Sequence, residues 1–497
     1  MVKPDGIGTN VRSKAAKGIR WIGIQRLSTQ SSLFLVVLLL ARQLGPDEFG
    51  LAAIAFAYAG LLQLFVDQGL GDAIVQRERI DQSDLSTAFW FSSALGTVLC
   101  CLGCLLAPIA GRVIGDPSIV PIIRILSLNF LVSAMGSIPE AILKRGLGFD
   151  AIAKANIVSA VLSGGCAVTL AFSGGGVWSL VGQQVMSVAS RALMYWRHSK
   201  WLPNLRFRLE TLRWMAKYGW NIVGINIVNF GTRYGDQLLV GYYVGTTQLG
   251  SYSFARKINQ AILSLTAGIP NAIAFPAFSR LGEDAGIRIG VFLEAVRLTS
   301  SLTGLVFALV CGSSYQLVEV VFGEKWIESG PILCVLAVIG FHQGVFVLNH
   351  ALLKAAGYPN WSFRLVCVNA SVNVIFVWFA APHGALAVVV AALLRASVLS
   401  SLPLLVLKSK LGLSIKDWRG SVRGSVLGFV VCVLSGWAYG LLDNPLDHGA
   451  VDLLIRLGIG VAAYLGGFYV FDRNGFSDIY QQVWKLVFNI RMKKRSV

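Results

Sequence analysis

The stretch "GYYVGTTQLGSYSFARK" (Gly241–Lys257) decides the fold, because a similar stretch occurs 200 residues earlier in the chain. The earlier stretch is "ARQLGPDEFGLAAIAFA" (Ala41–Ala57), and it carries glycines at the same two positions of a short turn. The aligned glycines are Gly45 with Gly245 and Gly50 with Gly250. Apolar segments flank the turn in both stretches. The pattern therefore predicts an internal repeat built from helical hairpins.

The composition of the chain is that of a polytopic membrane protein. It has 497 residues, of which 55% are hydrophobic and only 14% charged, and its mean hydropathy is +0.65. Soluble domains carry about 25% charged residues. A helix needs about 20 apolar residues to cross a bilayer, and we predict fourteen such spans in an all-α fold. They centre near residues 31, 63, 98, 131, 163, 187, 230, 264, 305, 342, 372, 396, 431 and 462.

Glycine and proline mark the tightest turns. The uncharged run Ala155–Ser190 is interrupted by "SGGG" at Ser173–Gly176, and the run Leu365–Leu394 by "PHG" at Pro382–Gly384. Each run is predicted to be a helical hairpin with a very short turn. Gly268, Pro270 and Pro276 similarly predict a kink in span 8.

The distribution of Lys and Arg predicts the orientation. With the N-terminus inside, 33 of the 43 basic residues fall in inner loops and tails. The outer loops hold three, which are Arg42, Arg112 and Lys325. Cytoplasmic loops collect Lys and Arg, so both termini are predicted to be cytoplasmic. This bias explains most of the net charge of +18, so we expect no nucleic-acid partner. We also expect no cleavable signal peptide, since the N-terminus is polar and basic.

The repeat defines the predicted domains. Residues 1–197 would form a six-helix half, 198–216 a cytoplasmic linker, 217–410 a second six-helix half, and 411–497 two additional helices with a basic tail. Six is an even number of spans, so both halves enter the membrane from the same side and the repeat is parallel. Transporters of this kind place their substrate between the halves and alternate its access.

Four charges in the second copy have no counterpart in the first. Arg233, Asp236, Arg256 and Lys257 align with residues 33, 36, 56 and 57, all of which are apolar. A charge inside a bilayer is costly and normally faces a cavity or a partner. Helix geometry places the four at similar depths on spans 7 and 8, so we expect them to cluster as a net cationic site. Asp236 either serves transport or offsets a neighbouring cation.

Other groups are weaker candidates. Arg26 in span 1 and Arg395 in span 12 either face the same cavity or extend to the cytoplasmic surface. The acids near inner ends of spans 2 and 4 are expected to be helix-end groups. The two histidines of span 10 are expected to pack or form hydrogen bonds. These acids are Asp67, Asp72 and Glu140, and the histidines are His342 and His350. The eight cysteines show no metal or disulfide spacing, so no metal site is expected.

Six stretches share their motifs and their order with one family. They are "LGPDEFGLAAIA" (Leu44–Ala55), "DQGLGDAIVQR" (Asp67–Arg77), "GGGVWSLVGQQ" (Gly174–Gln184), "DQLLVGYYVGTTQLGSYSFARK" (Asp236–Lys257), "PAFSRLGED" (Pro276–Asp284) and "FGEKWIESGPIL" (Phe322–Leu333). The chain resembles Wzx-type polysaccharide exporters, of the colanic-acid-type branch of the multidrug/oligosaccharidyl-lipid/polysaccharide flippase superfamily. The likeness spans most of residues 20–400, and the last 90 residues match in hydropathy only.

The resemblance implies a flippase of the bacterial inner membrane. Such proteins move undecaprenyl-pyrophosphate-linked sugar repeats from the inner to the outer leaflet, for exopolysaccharide, O-antigen or capsule synthesis. Membrane lipids, a polysaccharide polymerase and chain-length machinery are the implied partners. Arg233, Arg256, Lys257 and Arg26 would then hold the pyrophosphate, since Arg suits phosphate oxygens. Asp236 or Asp67 would carry a coupling ion, H⁺ or Na⁺, and no other cofactor is expected.

Two other classes of function stay open. A drug, small-cation or lipid II carrier could share the architecture, although a cationic cavity argues against cationic cargo. A membrane glycosyltransferase, ligase or polymerase would need acidic or histidine catalytic groups, usually on a substantial outer loop. The outer loops "SGGG", "PHG" and "VGTTQLG" are too short for that.

Overall fold

The computed structural model describes residues 25, 28–32, 34–66, 70–77, 80–281, 284–441, 449–478 and 481. Within these ranges the regular structure is helical, and they contain no β-strand. The predicted all-α class is therefore confirmed. The chain forms two compact units, Met1–Ser253 and Phe254–Val497.

The first unit begins with helical residues at 25, 28–32 and 34–43 and continues through seven helices. They are α1 (Pro46–Val66), α2 (Leu70–Gln76), α3 (Gln82–Ile114), α4 (Ile119–Arg145), α5 (Phe149–Phe172), α6 (Trp178–Ser199) and α7 (Leu209–Val244). The next helix, α8 (Thr246–Thr266), starts in this unit and continues into the second. Asp81 and Asp84 form a capping box at the start of α3, which satisfies N–H groups of its first turn.

The second unit continues from α8 through ten further helices. They are α9 (Gly268–Ser279), α10 (Ala285–Gly312), α11 (Ser314–Phe322), α12 (Ser329–Phe346), α13 (Asn349–Ala355), α14 (Pro359–Ala380), α15 (Ala385–Leu399), α16 (Ser401–Leu411), α17 (Ile415–Gly440) and α18 (Ala450–Phe471). Short 3₁₀ turns at Glu324–Trp326 and Ala381–His383 lie between them. Asp284 caps α10 by accepting hydrogen bonds from two N–H groups of its first turn.

Nine helical segments in the described ranges are long and apolar enough to cross a membrane. They are Gln82–Ile114, Ile119–Arg145, Phe149–Phe172, Ala285–Gly312, Ser329–Ala355, Pro359–His383, Ala385–Leu411, Ile415–Gly440 and Ala450–Phe471. A tenth candidate is the pair α8 and α9, which is bent by 41°. This bend confirms the predicted kink in span 8. The other predicted spans fall on α1, α6, α7 and the helical residues near 31, and the total of fourteen stays a prediction.

The two predicted hairpin turns are confirmed. After α5 ends, Gly174 and Gly176 adopt φ angles of 78° and 50°, which L side chains rarely adopt. In the other hairpin, a 3₁₀ turn follows α14, and Gly384 with φ 103° leads into α15. The glycines thus reverse the chain within a few residues, and each pair of helices is joined by a short turn instead of a long loop.

The segment between α6 and α7 runs along the start of α3. Residues 200–208 contain no helix, and the backbone N–H groups of Asn204 and Arg208 donate to hydroxyl groups of α3 at 2.9 and 3.0 Å. Thr211, in the first turn of α7, donates its hydroxyl hydrogen to Asp84 of α3 at 2.6 Å. We call residues 200–208 the strap. The strap fastens the beginning of α7 to α3.

The first turns of α1 and α8 are in backbone contact at their glycines. A Cβ added to Gly50 would lie 2.7 Å from the carbonyl carbon of Thr246, and a Cβ added to Gly250 would lie 2.5 Å from that of Pro46. Both distances are too short for any side chain. Small residues allow such close approach of helix backbones. We call this pair of approaches the reciprocal glycine contact.

The reciprocal glycine contact follows the offset of the sequence repeat. Each glycine contacts the first residue of the opposite helix, Gly50 with Thr246 and Gly250 with Pro46. The residue numbers in the two contacts are offset by 200. The hydroxyl of Thr247 also donates to the carboxylate of Asp47, which is again 200 residues earlier. Such an exchange of equivalent partners is typical of a local two-fold arrangement of the two helix starts. The structure therefore joins the two copies through equivalent surfaces.

Candidate functional site

Arg233 and Asp236 lie three residues apart on α7, and so on one face of that helix. The Arg233 side chain is exposed, and its guanidinium lies 5.4 Å from the ring centroid of Tyr234, a cation–π distance. Asp236 is half-buried and accepts a hydrogen bond from the hydroxyl of Tyr252 on α8. This bond confirms that α7 and the start of α8 are neighbours, and it gives the carboxylate a neutral donor.

Arg256 and Lys257 lie one turn beyond Tyr252 on α8, and both side chains are half-buried. They belong to the second unit, whereas Arg233 and Asp236 belong to the first. The predicted clustering of these four residues therefore stays a prediction. The two other predicted site residues, Arg26 and Asp67, lie outside the described residues. The pyrophosphate and coupling roles of all six also stay predictions.

A cavity of about 720 Å³ lies within the second unit. Its walls come from α8, α9 and the five helices from α12 to α16. The bend between α8 and α9 shapes one wall, with Leu263 before the bend and Asn271 and Phe275 after it. We call this space the second-unit cavity. Its volume is that of a small-molecule site, for which about 300–1,000 Å³ is typical.

The polar lining of the second-unit cavity is cationic. The ionisable side chains on its wall are His342, His350, Lys354 and Arg395, and no Asp or Glu is among its described lining residues. Amide side chains of Asn271, Gln343 and Asn369 add donors and acceptors. Since Arg and Lys are charged at neutral pH, the wall carries a positive potential. Such a cavity attracts anions and disfavours cations.

Hydrogen bonds across helices hold these groups in place. His342 Nε2 on α12 lies 2.9 Å from the Ser400 hydroxyl, and Arg395 on α15 donates to the side-chain oxygen of Asn369 on α14. In addition, His350 Nδ1 lies 3.0 Å from the Ser362 hydroxyl. The prediction that the two histidines form hydrogen bonds is confirmed. These hydrogen bonds restrict the orientation of the His342, His350 and Arg395 side chains at the cavity wall.

The sequence gives little indication of this group of residues. For Arg395 it left open whether the side chain faces a cavity or the cytoplasmic surface, and the structure places it on the wall of the second-unit cavity. Lys354 is not among the site residues that the sequence predicts. The available signal was the spacing of His350 and Lys354, since residues four apart share a helix face. His342 comes from a different helix, and only packing reveals its proximity.

The proteins to which this chain is similar include two named for the biosynthesis of teichuronic acid and of lipopolysaccharide. The chain is 26% identical over 357 residues to the teichuronic acid biosynthesis protein TuaB of Bacillus subtilis strain 168, covering 71% of this chain and 74% of that protein. It is 27% identical over 363 residues to the lipopolysaccharide biosynthesis protein WzxC of Escherichia coli K12, covering 71% of this chain and 73% of that one.

The fold is similar to that of a solved flippase. The lipid II flippase MurJ in its inward closed conformation superposes with a TM-score of 0.71 at 14% identity, over 91% of this chain and 98% of that chain. At this identity the likeness concerns the fold alone. The sequence profile of the family described as polysaccharide biosynthesis protein matches residues 39–331, which is more than half of the chain. The chain therefore belongs to the polysaccharide biosynthesis protein family.

Proposed function

We propose that this protein is a flippase that moves undecaprenyl-pyrophosphate-linked oligosaccharides from the inner to the outer leaflet of the cytoplasmic membrane by alternating access. Its family membership and its helical membrane fold support a role in handling a polysaccharide precursor. The observation that carries the proposal is the second-unit cavity, which has cations and histidines on its wall and no described acid.

The chemistry of the cavity suits a pyrophosphate with an attached glycan. The Arg395 guanidinium presents donors in a planar fork that matches phosphate oxygens, and Lys354 adds a compact charge. The amides of Asn271, Gln343 and Asn369 can bond sugar hydroxyls, which both donate and accept. A glycan cannot cross hydrocarbon without such partners, since unsatisfied polar groups cost several kcal/mol each there.

The position of the cations supports loading from the inner leaflet. In the proposed topology, α15 runs from the outer to the inner side, and Arg395 lies ten residues beyond its first residue, or about 15 Å along the helix axis. Lys354 lies near the inner end of the segment Ser329–Ala355. The two cations thus mark a route from the inner surface towards the middle of the membrane.

The predicted charges of α7 and α8 belong to the same proposal. Arg233, Arg256, Lys257 and Arg26 would contact the pyrophosphate during its passage, and Asp236 or Asp67 would carry H⁺ or Na⁺. The finer topology is also part of it, with fourteen spans, both termini in the cytoplasm and a location in the inner membrane. A polysaccharide polymerase and chain-length machinery would receive the product.

Three competing functions make different predictions. A carrier of drugs or small cations would favour acids in its cavity, and the described lining has none. A lipid II flippase is the stronger competitor, because lipid II also carries a pyrophosphate and the fold is similar to that of MurJ. The lipid that accumulates without the protein distinguishes the two cargoes. A membrane glycosyltransferase or polymerase would show transferase activity after purification, whereas a flippase would not.

The test is a gene deletion followed by extraction of the cell's lipids. We expect a lipid-linked oligosaccharide to accumulate and surface glycan to disappear, with the wild-type gene restoring both. Arg395→Ala should reduce surface glycan at least tenfold while the protein level stays normal, because a charge-assisted hydrogen bond contributes about 1.5–3 kcal/mol. Arg395→Lys should retain part of the activity, since it keeps the charge and loses the fork.

The matched control is Arg364→Ala. Arg364 belongs to the same unit and lies on α14, where its guanidinium is 5.4 Å from the ring centroid of Trp361, and it is not on the cavity wall. This variant should export glycan at the wild-type level. Equal loss in the Arg395 and Arg364 variants would remove the cavity from the proposal. Normal lipid pools in the deletion strain would overturn the flippase function itself.

A further inference from the structure

Two cysteines of the second unit have their sulfur atoms in contact. Cys311 is the penultimate residue of α10, Cys334 lies in the second turn of α12, and their Sγ atoms are 3.2 Å apart. They are separated by 23 positions in sequence, and no recognised cysteine spacing connects them. Sulfur atoms this close need only small side-chain rotations to reach bonding distance.

The proximity of the two thiols is set by helix packing. A Cβ on Gly344 of α12 would lie 2.7 Å from the Cβ of Thr303 on α10, and a Cβ on Gly340 would overlap the ring of Phe307. These glycines let α10 and α12 lie close together along their length. The contact between Cys311 and Cys334 therefore does not depend on the conformation of a loop.

The pair lies towards the outer side of the membrane. The connection from α10 to α12 contains α11, the 3₁₀ turn Glu324–Trp326 and the outer-loop cation Lys325. This step rests on the topology given under the proposed function. Disulfides form and persist outside the cytoplasm, where the environment is oxidising.

We propose that Cys311 and Cys334 form a disulfide that joins α10 to α12. The oxidant is the disulfide of an extracytoplasmic thiol-oxidising protein. Cys334 is half-buried and Cys311 is only 2% exposed, so the thiolate of Cys334 attacks first and forms a mixed disulfide with the oxidant. The thiolate of Cys311 then attacks the Cys334 sulfur and releases the second sulfur of the oxidant. The chain loses two electrons and two protons, and the oxidant becomes a dithiol.

The chain order allows this exchange before Cys311 is covered. In the folded unit, a Cβ on Gly436 of α17 would lie 2.7 Å from the carbonyl oxygen of Gly312, so α17 packs directly beside Cys311. Since α17 follows α10 and α12 in the chain, the hairpin that carries both cysteines is synthesised before α17. Oxidation at that stage needs no opening of the finished structure.

Peptide mapping of the full-length protein tests the proposal. Membranes are quenched with N-ethylmaleimide before solubilisation, and the protein is digested with trypsin without reduction. Cleavage after Arg297, Lys325 and Lys354 places the two cysteines on separate peptides, 298–325 and 326–354. We expect these peptides to be recovered as one disulfide-linked species that separates on reduction, in more than about nine-tenths of the protein. Recovery of both as N-ethylmaleimide adducts would overturn the proposal.

Two variants sharpen the assignment. Cys432→Ser should leave the linked peptide unchanged, because Cys432 belongs to α17 and not to the hairpin. Cys311→Ser should abolish it and leave Cys334 reactive towards N-ethylmaleimide. The disulfide lies outside the cavity wall, so Cys311→Ser should still export glycan. If Cys311 and Cys334 are reduced in a protein that exports glycan normally, the disulfide proposal is overturned and the flippase function stands. If the peptides are linked but deletion of the gene leaves the lipid pools unchanged, the flippase function is overturned and the disulfide stands.

Discussion

The two copies of the repeated turn, at Ala41–Ala57 and Gly241–Lys257, agree in backbone and differ in charge. Their glycines meet in the reciprocal glycine contact, in which each helix start touches the equivalent point of the other copy. The charged residues follow no such symmetry. Residues 56 and 57 are Phe and Ala in the first copy, whereas Arg256 and Lys257 occupy those positions in the second. Close backbone packing is thus a property of both copies, whereas these charges occur only in the second copy.

This difference separates two kinds of requirement on the sequence. A glycine at a backbone crossing is needed wherever the helices touch, so it must occur in both copies. A buried or half-buried cation is costly in a membrane and normally faces a ligand, a cavity or a partner. Where substitutions at two aligned positions have the same effect, we therefore expect that effect to be on folding. Where a substitution has an effect in the second copy only, we expect it to be on transport.

The largest effect is expected from filling the reciprocal glycine contact. Gly50→Leu and Gly250→Leu each place a side chain inside the backbone of the opposite helix, at a cost of about 4 kcal/mol or more. Both should lose folded protein to a similar extent, measured by monodispersity and thermal melting in detergent. The control is Gly231→Leu on α7, where an added Cβ meets nothing within 4 Å. If only one of the two leucine variants loses folded protein, the two copies do not contribute equally to the fold.

Removal of the second-copy cations comes next. The double variant Arg256→Ala with Lys257→Ala should reduce glycan export by at least about tenfold, with protein level and melting temperature near those of the wild type. The expected reason is the loss of two cations that, in the proposed function, would hold the pyrophosphate. The aligned position in the first copy offers the control Phe56→Ala, which should export normally. Wild-type export by the double variant would exclude these cations from the transport site.

A smaller effect is expected at the hydrogen bond between Tyr252 and Asp236. Tyr252→Phe removes the donor and leaves the carboxylate on α7 in place, at a cost of about 1 kcal/mol. Export should fall by about fivefold if Asp236 serves transport, and melting temperature alone should fall if it is structural. Tyr242→Phe is the control, since Tyr242 is 71% exposed on the same hairpin.

The smallest expected difference, of less than about 1 kcal/mol, is between alanine variants of the first glycine of each turn. Gly245 has φ 91°, so Gly245→Ala should strain the turn and destabilise the protein by about 1 kcal/mol. A Cβ on Gly45 would meet only the end of the flexible Glu48 side chain, at 3.0 Å. Gly45→Ala should therefore have a smaller effect on the melting temperature. Equal shifts in melting temperature for both variants would contradict this difference between the two turns.

The sequence was sufficient for features that depend on local chemistry. The turns at Ser173–Gly176 and Pro382–Gly384 were predicted because glycine and proline reverse a chain in a way that apolar residues cannot. The bend beyond Thr266 was predicted from the same chemistry. In each case, the residues that determine the feature are adjacent in the chain.

The second-unit cavity could not be predicted in this way. Its charged wall combines Arg395 of α15 with His342 of α12 and Lys354 of α13, and the spacing of these residues carries no information about their distance in space. The same limit applies to the reciprocal glycine contact. The alignment indicated that the two turns are equivalent, but equivalent turns need not touch.

The strap has a mechanical consequence. Because residues 200–208 and Thr211 are bonded to the start of α3, the first turn of α7 cannot slide along the membrane without pulling α3 with it. A free linker would absorb such a displacement, whereas this one transmits it. The strap therefore couples the start of the seventh predicted span to the start of α3, because a displacement of one would strain its hydrogen bonds to the other.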